Sequence, residues 1–181
     1  MLTSPTTQMT FCLSNLMITG SCTPYLHNGI MDASEVGGRL GDSATGVLGR
    51  NEIGFLVWSN NKEETSELGL GSRLKTPVTP IWVTCVNGSW GVLFNPNRDL
   101  MKSYSAENRF QLYYFSNTVE PRVVKEKRET ILTIDTRGSS GVLMRKTDED
   151  GEERPPNPVE EAVASKWAGA VVDWQGIQPY L

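Results

Sequence analysis

Apolar and polar residues alternate most regularly in the middle of the chain, over two β-rich runs that are separated by two residues. The runs are Ile81–Val86 and Ser89–Phe94, and Asn87-Gly88 lies between them. An Asn-Gly pair tolerates the positive φ angles of a type I′ turn, which joins neighbouring antiparallel strands. The stretch therefore predicts a β-hairpin.

Three further segments predict strands, because aromatic and β-branched residues dominate them. They are residues 110–115, residues 130–134 and residues 170–174. Between the hairpin and the first of these strands, Asn97 can cap a short helix over residues 98–104. The second half of the chain is therefore predicted to be rich in strands.

A helix start is encoded shortly before the last predicted strand. Asn157 is a typical cap, Pro158 suits the first helical position, and Glu160 follows the cap by three residues. Gly169 is a typical stop signal. Apolar residues recur there at spacings of three and four, which predicts a stripe that packs on the sheet. They are Val159, Ala162, Val163 and Trp167.

The first part of the chain carries weaker patterns. Residues 11–19 and 51–58 predict helices, whereas residues 32–49 and 59–72 are predicted to be weakly structured. Residues 145–157 combine acidic side chains with prolines and no apolar period, which predicts a mobile loop.

These elements together predict an α+β fold, with N-terminal helices followed by an antiparallel sheet and a C-terminal helix. We expect one domain over residues 1–181. It divides into a helical and loop part at residues 1–72 and a β-rich part at residues 73–181.

Composition narrows the range of functions. The chain has 181 residues, and 17 basic against 21 acidic side chains give a net charge of -4. This balance argues against a nucleic-acid partner, which requires a concentrated basic face. No apolar run approaches the roughly 20 residues that cross a bilayer, and the first ten residues lack the basic start of a secretory signal. The sequence predicts an intracellular, cytoplasmic protein with neither nucleic acid nor membrane as a partner.

Reactive side chains are scarce, because the chain has three cysteines and one histidine. A thiol protease needs a thiolate and an imidazole that takes and returns a proton, so such a pair must use His27. Cys22 lies on a nearby connector, Cys12 on a predicted helix and Cys85 in the hairpin. A loop histidine and small buried cysteines explain these positions better. We predict no self-sufficient active site, no metal and no cofactor.

Short motifs extend along nearly the whole chain. They include Arg-Asn-Glu-Ile-Gly-Phe-Leu at 50–56, Leu-Lys-Thr-Pro at 74–77, Pro-Ile-Trp-Val at 80–83, Val-Leu-Phe at 92–94, Arg-Phe-Gln-Leu-Tyr-Tyr at 109–114, Leu-Thr-Ile-Asp-Thr at 132–136 and Lys-Trp at 166–167. In this order, the motifs resemble the C-terminal half of MINDY-family deubiquitinases, specifically the MINDY four branch with its larger catalytic domain. The resemblance implies a papain-like cysteine protease lobe. It also implies ubiquitin or polyubiquitin chains as partners, in the family those of the proteasome-directing lysine linkage.

The same resemblance implies that the catalytic residues are missing. The family nucleophile lies in a Gln-Gly-Cys segment at a helix start, and this chain contains no such segment. The family general base is a His on the strand after Ile-Trp-Val, and Ser89 stands at that position. Gln111 stands where family strands carry an acidic residue. A serine hydroxyl does not titrate near neutral pH and cannot replace imidazole. The chain most resembles the member of the branch that is regarded as inactive.

Two functional hypotheses follow. In the first, the chain is a C-terminal lobe of a ubiquitin hydrolase whose other half supplies the cysteine. In the second, it is a non-catalytic ubiquitin-binding or scaffold protein. A third possibility, a protein without a link to ubiquitin, predicts no binding to any ubiquitin chain. If ubiquitin docks, we expect apolar anchors near the hairpin to contact it, with Trp90 and Tyr104 as the predicted binding residues.

Overall fold

The computed structural model describes residues 5–36, 38–61, 69–116, 129–137 and 157–175. The acidic loop predicted at residues 145–157 lies almost wholly outside the described residues. The described part of the chain combines a six-stranded sheet, a two-stranded ribbon and a few helices, which confirms the predicted α+β class. Within these ranges, no helix combines the length and the apolar character that crossing a membrane requires.

The described part of the chain begins with a helix and continues with the two-stranded ribbon. Five strands of the sheet follow, and then a helix and the sixth strand of the sheet. The helices are α1 (Pro5–Thr19), α2 (Ser72–Lys75) and α3 (Pro158–Ala164), with 3₁₀ helices at Ala33–Val36 and Arg98–Met101. The strands are β1 (Ile30–Asp32), β2 (Ser43–Thr45), β3 (Gly54–Trp58), β4 (Ile81–Val86), β5 (Ser89–Phe94), β6 (Arg109–Ser116), β7 (Glu129–Asp135) and β8 (Val171–Gln175).

The six-stranded sheet has the order β3-β4-β5-β6-β7-β8. Every neighbouring pair is antiparallel except β3 and β4, which are parallel, so the prediction of an antiparallel sheet is correct for four of the five pairings. The predicted hairpin is confirmed. Val86 pairs with Ser89, and the turn residues Asn87 and Gly88 have φ angles of 49° and 79°.

The helix predicted over residues 51–58 is wrong, because this segment forms β3. Phe55, Leu56 and Val57 are consecutive and all buried, whereas a surface helix buries only one stripe. A strand with cover on both faces buries every residue of such a run. A Cβ on Gly54 would lie 2.4 Å from Cδ1 of Trp82, so glycine allows β3 to approach β4 closely.

Other elements differ from the predictions in their bounds. Residues 32–49, predicted to be weakly structured, contain part of the β1–β2 ribbon, and Ala33 and Ala44 are buried there. The helix predicted at residues 98–104 is a shorter 3₁₀ helix, in which the Asn97 side chain accepts a hydrogen bond from the Asp99 amide at 3.0 Å. The helix predicted at residues 11–19 is confirmed as α1, which begins earlier.

The predicted helix start at Asn157 is confirmed. Its side-chain oxygen accepts a hydrogen bond from the Val159 amide at 2.9 Å, and Pro158 occupies the first helical position. The helix ends at Ala164, and Gly169 turns the chain into β8 with a φ of 74°. Val159 and Val163 of α3 are fully buried, so this helix covers one face of the sheet.

Two apolar cores lie on opposite faces of the sheet. On the side that we call the α3 face, Val159 and Val163 pack with Leu56, Trp82 and Leu93 in one core. On the other side, the α1 face, Phe11 of α1 packs with Phe55 and Val57 in the other core. The second core also contains Leu26, Val47, Leu74 and Cys85. Alternate residues of each strand therefore enter different cores.

Candidate functional site

Ser89, the predicted position of the lost general base, is the first residue of β5. It pairs with Val86 next to the hairpin turn and is half-buried. Because side chains alternate along a strand, Ser89 lies on the α3 face together with Gly91 and Leu93. Trp90 lies on the opposite face. The two predicted residues are therefore neighbours in sequence but belong to different surfaces.

The α3 face next to Ser89 holds two buried hydroxyl groups. Thr84 pairs with Gly91 in the sheet, and a Cβ on Gly91 would lie 2.6 Å from the hydroxyl oxygen of Tyr114. Burial raises the pKa of Tyr114, and the side-chain hydroxyl groups of Thr84 and Ser116 partly oppose this rise. Neither the Thr84 nor the Tyr114 hydroxyl completes a hydrogen bond of ordinary geometry with a described residue. Sequence reasoning missed this pair.

His27, the single histidine of the chain, makes no catalytic pair in the described ranges. Both ring nitrogens are buried and neither hydrogen bonds to any described residue, a thiol included. The ring stacks on Tyr25, with centroids 5.6 Å apart. Burial lowers the pKa of His27, and the negative charge of Glu35 opposes this shift. The environment therefore favours a neutral imidazole that packs as an aromatic ring.

The three cysteines are free thiols, and two of them are shifted away from thiolate character. Burial raises the pKa of Cys85 within the α1-face core, although a hydrogen bond from the Gly88 backbone opposes the rise. Burial also raises the pKa of Cys12, and the neighbouring Cys22 side chain raises it further. A nucleophilic cysteine instead needs a lowered pKa. The surroundings of Cys12 and Cys85 suit protonated thiols.

Gln111, at the predicted position of the acidic residue, is remote from Ser89. It is exposed on the α1 face of β6, opposite Thr133 of β7. Gly91 pairs with Ser116, so Gln111 lies five residues, or roughly 17 Å, from the end of β6 that is nearest to Ser89. The structure does not bring these two side chains together.

Trp90 belongs to an exposed apolar surface on the α1 face of β5 and β6. Its ring stacks on Phe55 with centroids 6.0 Å apart, and 37% of the residue remains exposed. Phe94 stacks on both Tyr113 and Phe115, at 5.1 and 5.9 Å. We call this surface the aromatic face. It comprises Trp90, Val92, Phe94, Tyr113 and Phe115.

Sequence reasoning found only Trp90 of this surface, although β6 carried a signal. Its aromatic residues occupy both phases of the strand, at Phe110 and Tyr114 on one side and at Tyr113 and Phe115 on the other. A strand that covers one core needs apolar residues in one phase only. Aromatic residues on the other side of the strand therefore indicated either a second core or an exposed apolar surface.

Tyr104 lies beyond the opposite end of β5 from Trp90, after the 3₁₀ helix Arg98–Met101. It is 91% exposed and lines a surface cleft with a volume of about 380 Å³. We call it the basic cleft. Its lining includes Arg50, Leu100, Met101, Lys102, Glu107, Lys166 and Trp167. The structure therefore places the two predicted ubiquitin contacts at different ends of the sheet.

Lys166 is the most buried charge of the basic cleft. Its Nζ lies 4.5 Å from the ring centroid of Trp167 and 5.6 Å from that of Trp82. Among the described carboxylates, the partner of Lys166 is Glu107, whose Oε1 lies 3.8 Å from Nζ. Burial lowers the pKa of Lys166, the charge of Glu107 opposes this shift, and the positive charge of Arg50 adds to it. Sequence reasoning missed this cleft.

Comparison with known proteins agrees with the resemblance in the motifs. Residues 2–176 match the family model described as "Deubiquitinating enzyme MINDY-3/4, conserved domain". Over 169 residues, the chain is 33% identical to a protein of Xenopus tropicalis and 30% identical to one of Homo sapiens, both described as "Probable ubiquitin carboxyl-terminal hydrolase MINDY-4". The alignments cover 93% of this chain and 20% of each relative.

The chain thus spans about a fifth of the length of these curated relatives. No solved structure matches it. The family model nevertheless extends over every element described above, from α1 to β8. The chain belongs to the MINDY-3/4 family of deubiquitinating enzymes.

Proposed function

We propose that this chain is the C-terminal lobe of a MINDY-type ubiquitin hydrolase and that it binds ubiquitin or polyubiquitin without cleaving it. The observation that carries the proposal is Ser89 on β5, at the position that the resemblance assigns to the general base. A hydroxyl group does not accept a proton near neutral pH. His27 does not replace the base, because no described thiol hydrogen bonds to its ring.

The aromatic face supplies the proposed ubiquitin contact. Protein interfaces depend on a few apolar anchors, among which Trp is enriched. Trp90 combines an exposed edge with a ring held against Phe55, so that binding restricts little additional motion. Tyr104 lies at the other end of the sheet, and we propose that it contacts a second ubiquitin of the same chain.

The proposed place of action is the cytoplasm. Cys12, Cys22 and Cys85 are free thiols, which is typical of proteins in a reducing compartment. We propose neither a nucleic acid nor a membrane as a partner, since the net charge of the chain is -4. Fractionation of cells that express the chain tests this location, and recovery with membranes contradicts it.

A ubiquitin probe with a thiol-reactive C-terminus tests the proposed absence of catalysis. We expect intact-mass spectrometry to find no ubiquitin adduct on the 181-residue chain, because no described thiol has an imidazole partner. A papain-type deubiquitinase serves as the positive control. An adduct on Cys12, Cys22 or Cys85 would show that a nucleophile exists after all.

Binding is tested separately by titration with ubiquitin and tetraubiquitin. We expect Trp90→Ala to weaken both interactions about tenfold, as the loss of an interface anchor does, and Tyr104→Ala to weaken only the interaction with tetraubiquitin. Leu40→Ala is the matched control, since Leu40 is an exposed apolar residue outside the aromatic face. If neither ubiquitin species binds, the proposed function is wrong.

A further inference from the structure

Within the part of the chain that the structure describes, Lys166 of the basic cleft has no close anionic partner. Its side chain is only 5% exposed, yet the oxygen of Glu107 lies 3.8 Å from its Nζ. A charge-assisted hydrogen bond usually measures about 2.7–2.9 Å. The Glu107 oxygen also accepts a hydrogen bond from the indole of Trp167 at 3.3 Å. Glu107 is therefore shared between two donors, and the ammonium group is only partly compensated.

Positive charge exceeds negative charge among the residues that line the cleft. Among the described lining residues, Arg50, Lys102 and Lys166 contribute cations, whereas Glu107 contributes a single carboxylate. Arg50 donates through Nε and Nη2 to the carbonyls of Thr76 and Pro77. These bonds fix its guanidinium group close enough for its charge to act on Lys166. An anion in the cleft would relieve the repulsion between the two cations.

We propose that the basic cleft binds the carboxylate of a glutamate side chain from an acidic peptide segment. Leu100 and Met101 line the same cleft and provide apolar surface for the methylene groups of such a side chain. The volume of about 380 Å³ falls within the range of small ligand sites. The cleft is separate from the aromatic face, and the proposed contact with the acidic peptide is made by Lys166 and its neighbours rather than by Tyr104, the proposed second ubiquitin contact at the rim of the cleft.

Two features favour one carboxylate over a phosphate or a free dicarboxylic acid. Glu107 already compensates part of the charge of Lys166, so one further carboxylate completes the ion pairing of this ammonium group. Arg50 has committed two of its three nitrogens to backbone carbonyls, which leaves fewer of its N–H donors for the several oxygens of a phosphate. A glutamate side chain within a peptide brings one charge and adds contact area beyond it.

The indole signal of Trp167 in a ¹⁵N–¹H correlation spectrum provides the readout, because this group donates to Glu107 inside the cleft. The 181-residue chain is titrated with acetyl-Gly-Gly-Glu-Gly-Gly-amide and with the same peptide carrying Gln. We expect the Glu peptide to move the signal in a saturable way, and less strongly at high salt, because salt screens charges. An equal response to the Gln peptide would overturn the proposal, as would tighter binding of glutarate or inorganic phosphate.

Variants of the lining residues sharpen the test. We expect Lys166→Met, which keeps an aliphatic chain over the indole rings, to weaken binding of the Glu peptide about tenfold. Glu107→Gln is expected to strengthen it several-fold, an effect that a merely structural carboxylate would not produce. Arg98→Gln is the matched control, since Arg98 is exposed in the neighbouring 3₁₀ helix and does not line the cleft.

Lys102→Gln keeps the proposal testable if Lys166→Met fails to fold, because Lys102 is exposed and can be replaced without opening a cavity. We expect a loss of about two- to threefold for this variant. Unchanged affinity in both Lys102→Gln and Glu107→Gln would overturn the proposal.

Discussion

The two faces of the six-stranded sheet differ in how completely they are covered. On the α3 face, Trp82 of β4, Leu93 of β5 and Leu132 of β7 are fully buried. On the α1 face, Phe55 is buried over β3, whereas Val92 and Phe115 remain more than a third exposed over β5 and β6. The α3 face is therefore covered at these strands, whereas the α1 face combines the covered core at β3 with apolar surface at β5 and β6 that is available for binding.

A pair of substitutions at adjacent residues of β5 tests the difference between the two faces most strongly. Leu93→Ala removes a side chain that is fully buried between Trp82 and Tyr114, and we expect a loss of about 2–5 kcal/mol in the free energy of unfolding. Val92→Ala acts on the aromatic face, where 38% of the residue is exposed, and we expect a loss of about 1 kcal/mol or less. Urea denaturation measures both values. Equal losses would show that the two faces contribute alike.

A second pair of substitutions tests the close approach of β3 to β4. A Cβ on Gly54 would lie 2.4 Å from Trp82 Cδ1 and 2.5 Å from the carbonyl oxygen of Leu74, so Gly54→Ala should cost about 1–3 kcal/mol. Gly49→Ala is the matched control, because nothing lies within 4 Å of the added atom. We expect its unfolding curve to overlay that of the parent chain within about 0.5 kcal/mol. A tolerated Gly54→Ala would mean that the strands can separate.

The elements that sequence predicted best have local signals. Asn87-Gly88 encodes the hairpin turn, and Asn157-Pro158 encodes the start of α3, because the required backbone angles and caps depend on adjacent residues. The strand β3 was mistaken for a helix because its parallel partner lies 28 residues away in the chain, from Gly54 to Trp82. A short apolar run does not reveal whether cover exists on one face or on two.

The residues of the candidate site also differ in whether a local signal reveals them. The assignment of Ser89 came from resemblance to a family, since no hydrophobic period distinguishes it from other strand residues. Arg50, Glu107 and Lys166 were not grouped, because more than 50 residues separate each from the next and only the tertiary fold brings them together. Local sequence patterns therefore predicted helices and strands, whereas the basic cleft could be recognised only in the three-dimensional structure.

A smaller effect is expected at the N-terminal cap of α3, the helix that covers the α3 face of the sheet. Asn157→Ala removes the hydrogen bond that the side chain accepts from the Val159 amide, and we expect a loss of about 1 kcal/mol. Asn157→Asp keeps an acceptor at the cap and should retain most of the stability, as measured by thermal unfolding. If both variants lose the same amount, the cap bond does not stabilise this helix.

The smallest expected effect concerns His27, which adjoins the covered part of the α1 face through Leu26. Burial lowers the pKa of His27 in the folded chain, and the charge of Glu35 only partly opposes this. The unfolded chain therefore binds the proton more readily. The stability that neutral His27 contributes is fully present above about pH 6.5, the pKa of an unfolded histidine. It is lost progressively as the pH falls through the lower pKa of His27 in the folded state.

His27→Phe isolates this contribution, because phenylalanine preserves a ring against Tyr25 and carries no proton. We expect the difference in unfolding free energy between the parent chain and the variant to shift in favour of the variant as the pH falls from 8 to 5.5. Carboxylates that titrate in both proteins cancel in this difference. A difference that stays constant, or that moves in favour of the parent chain, would mean that His27 finds a partner for its proton. The protonated ring would then be stabilised more than expected from two ring nitrogens that have no hydrogen-bond partner among the described residues.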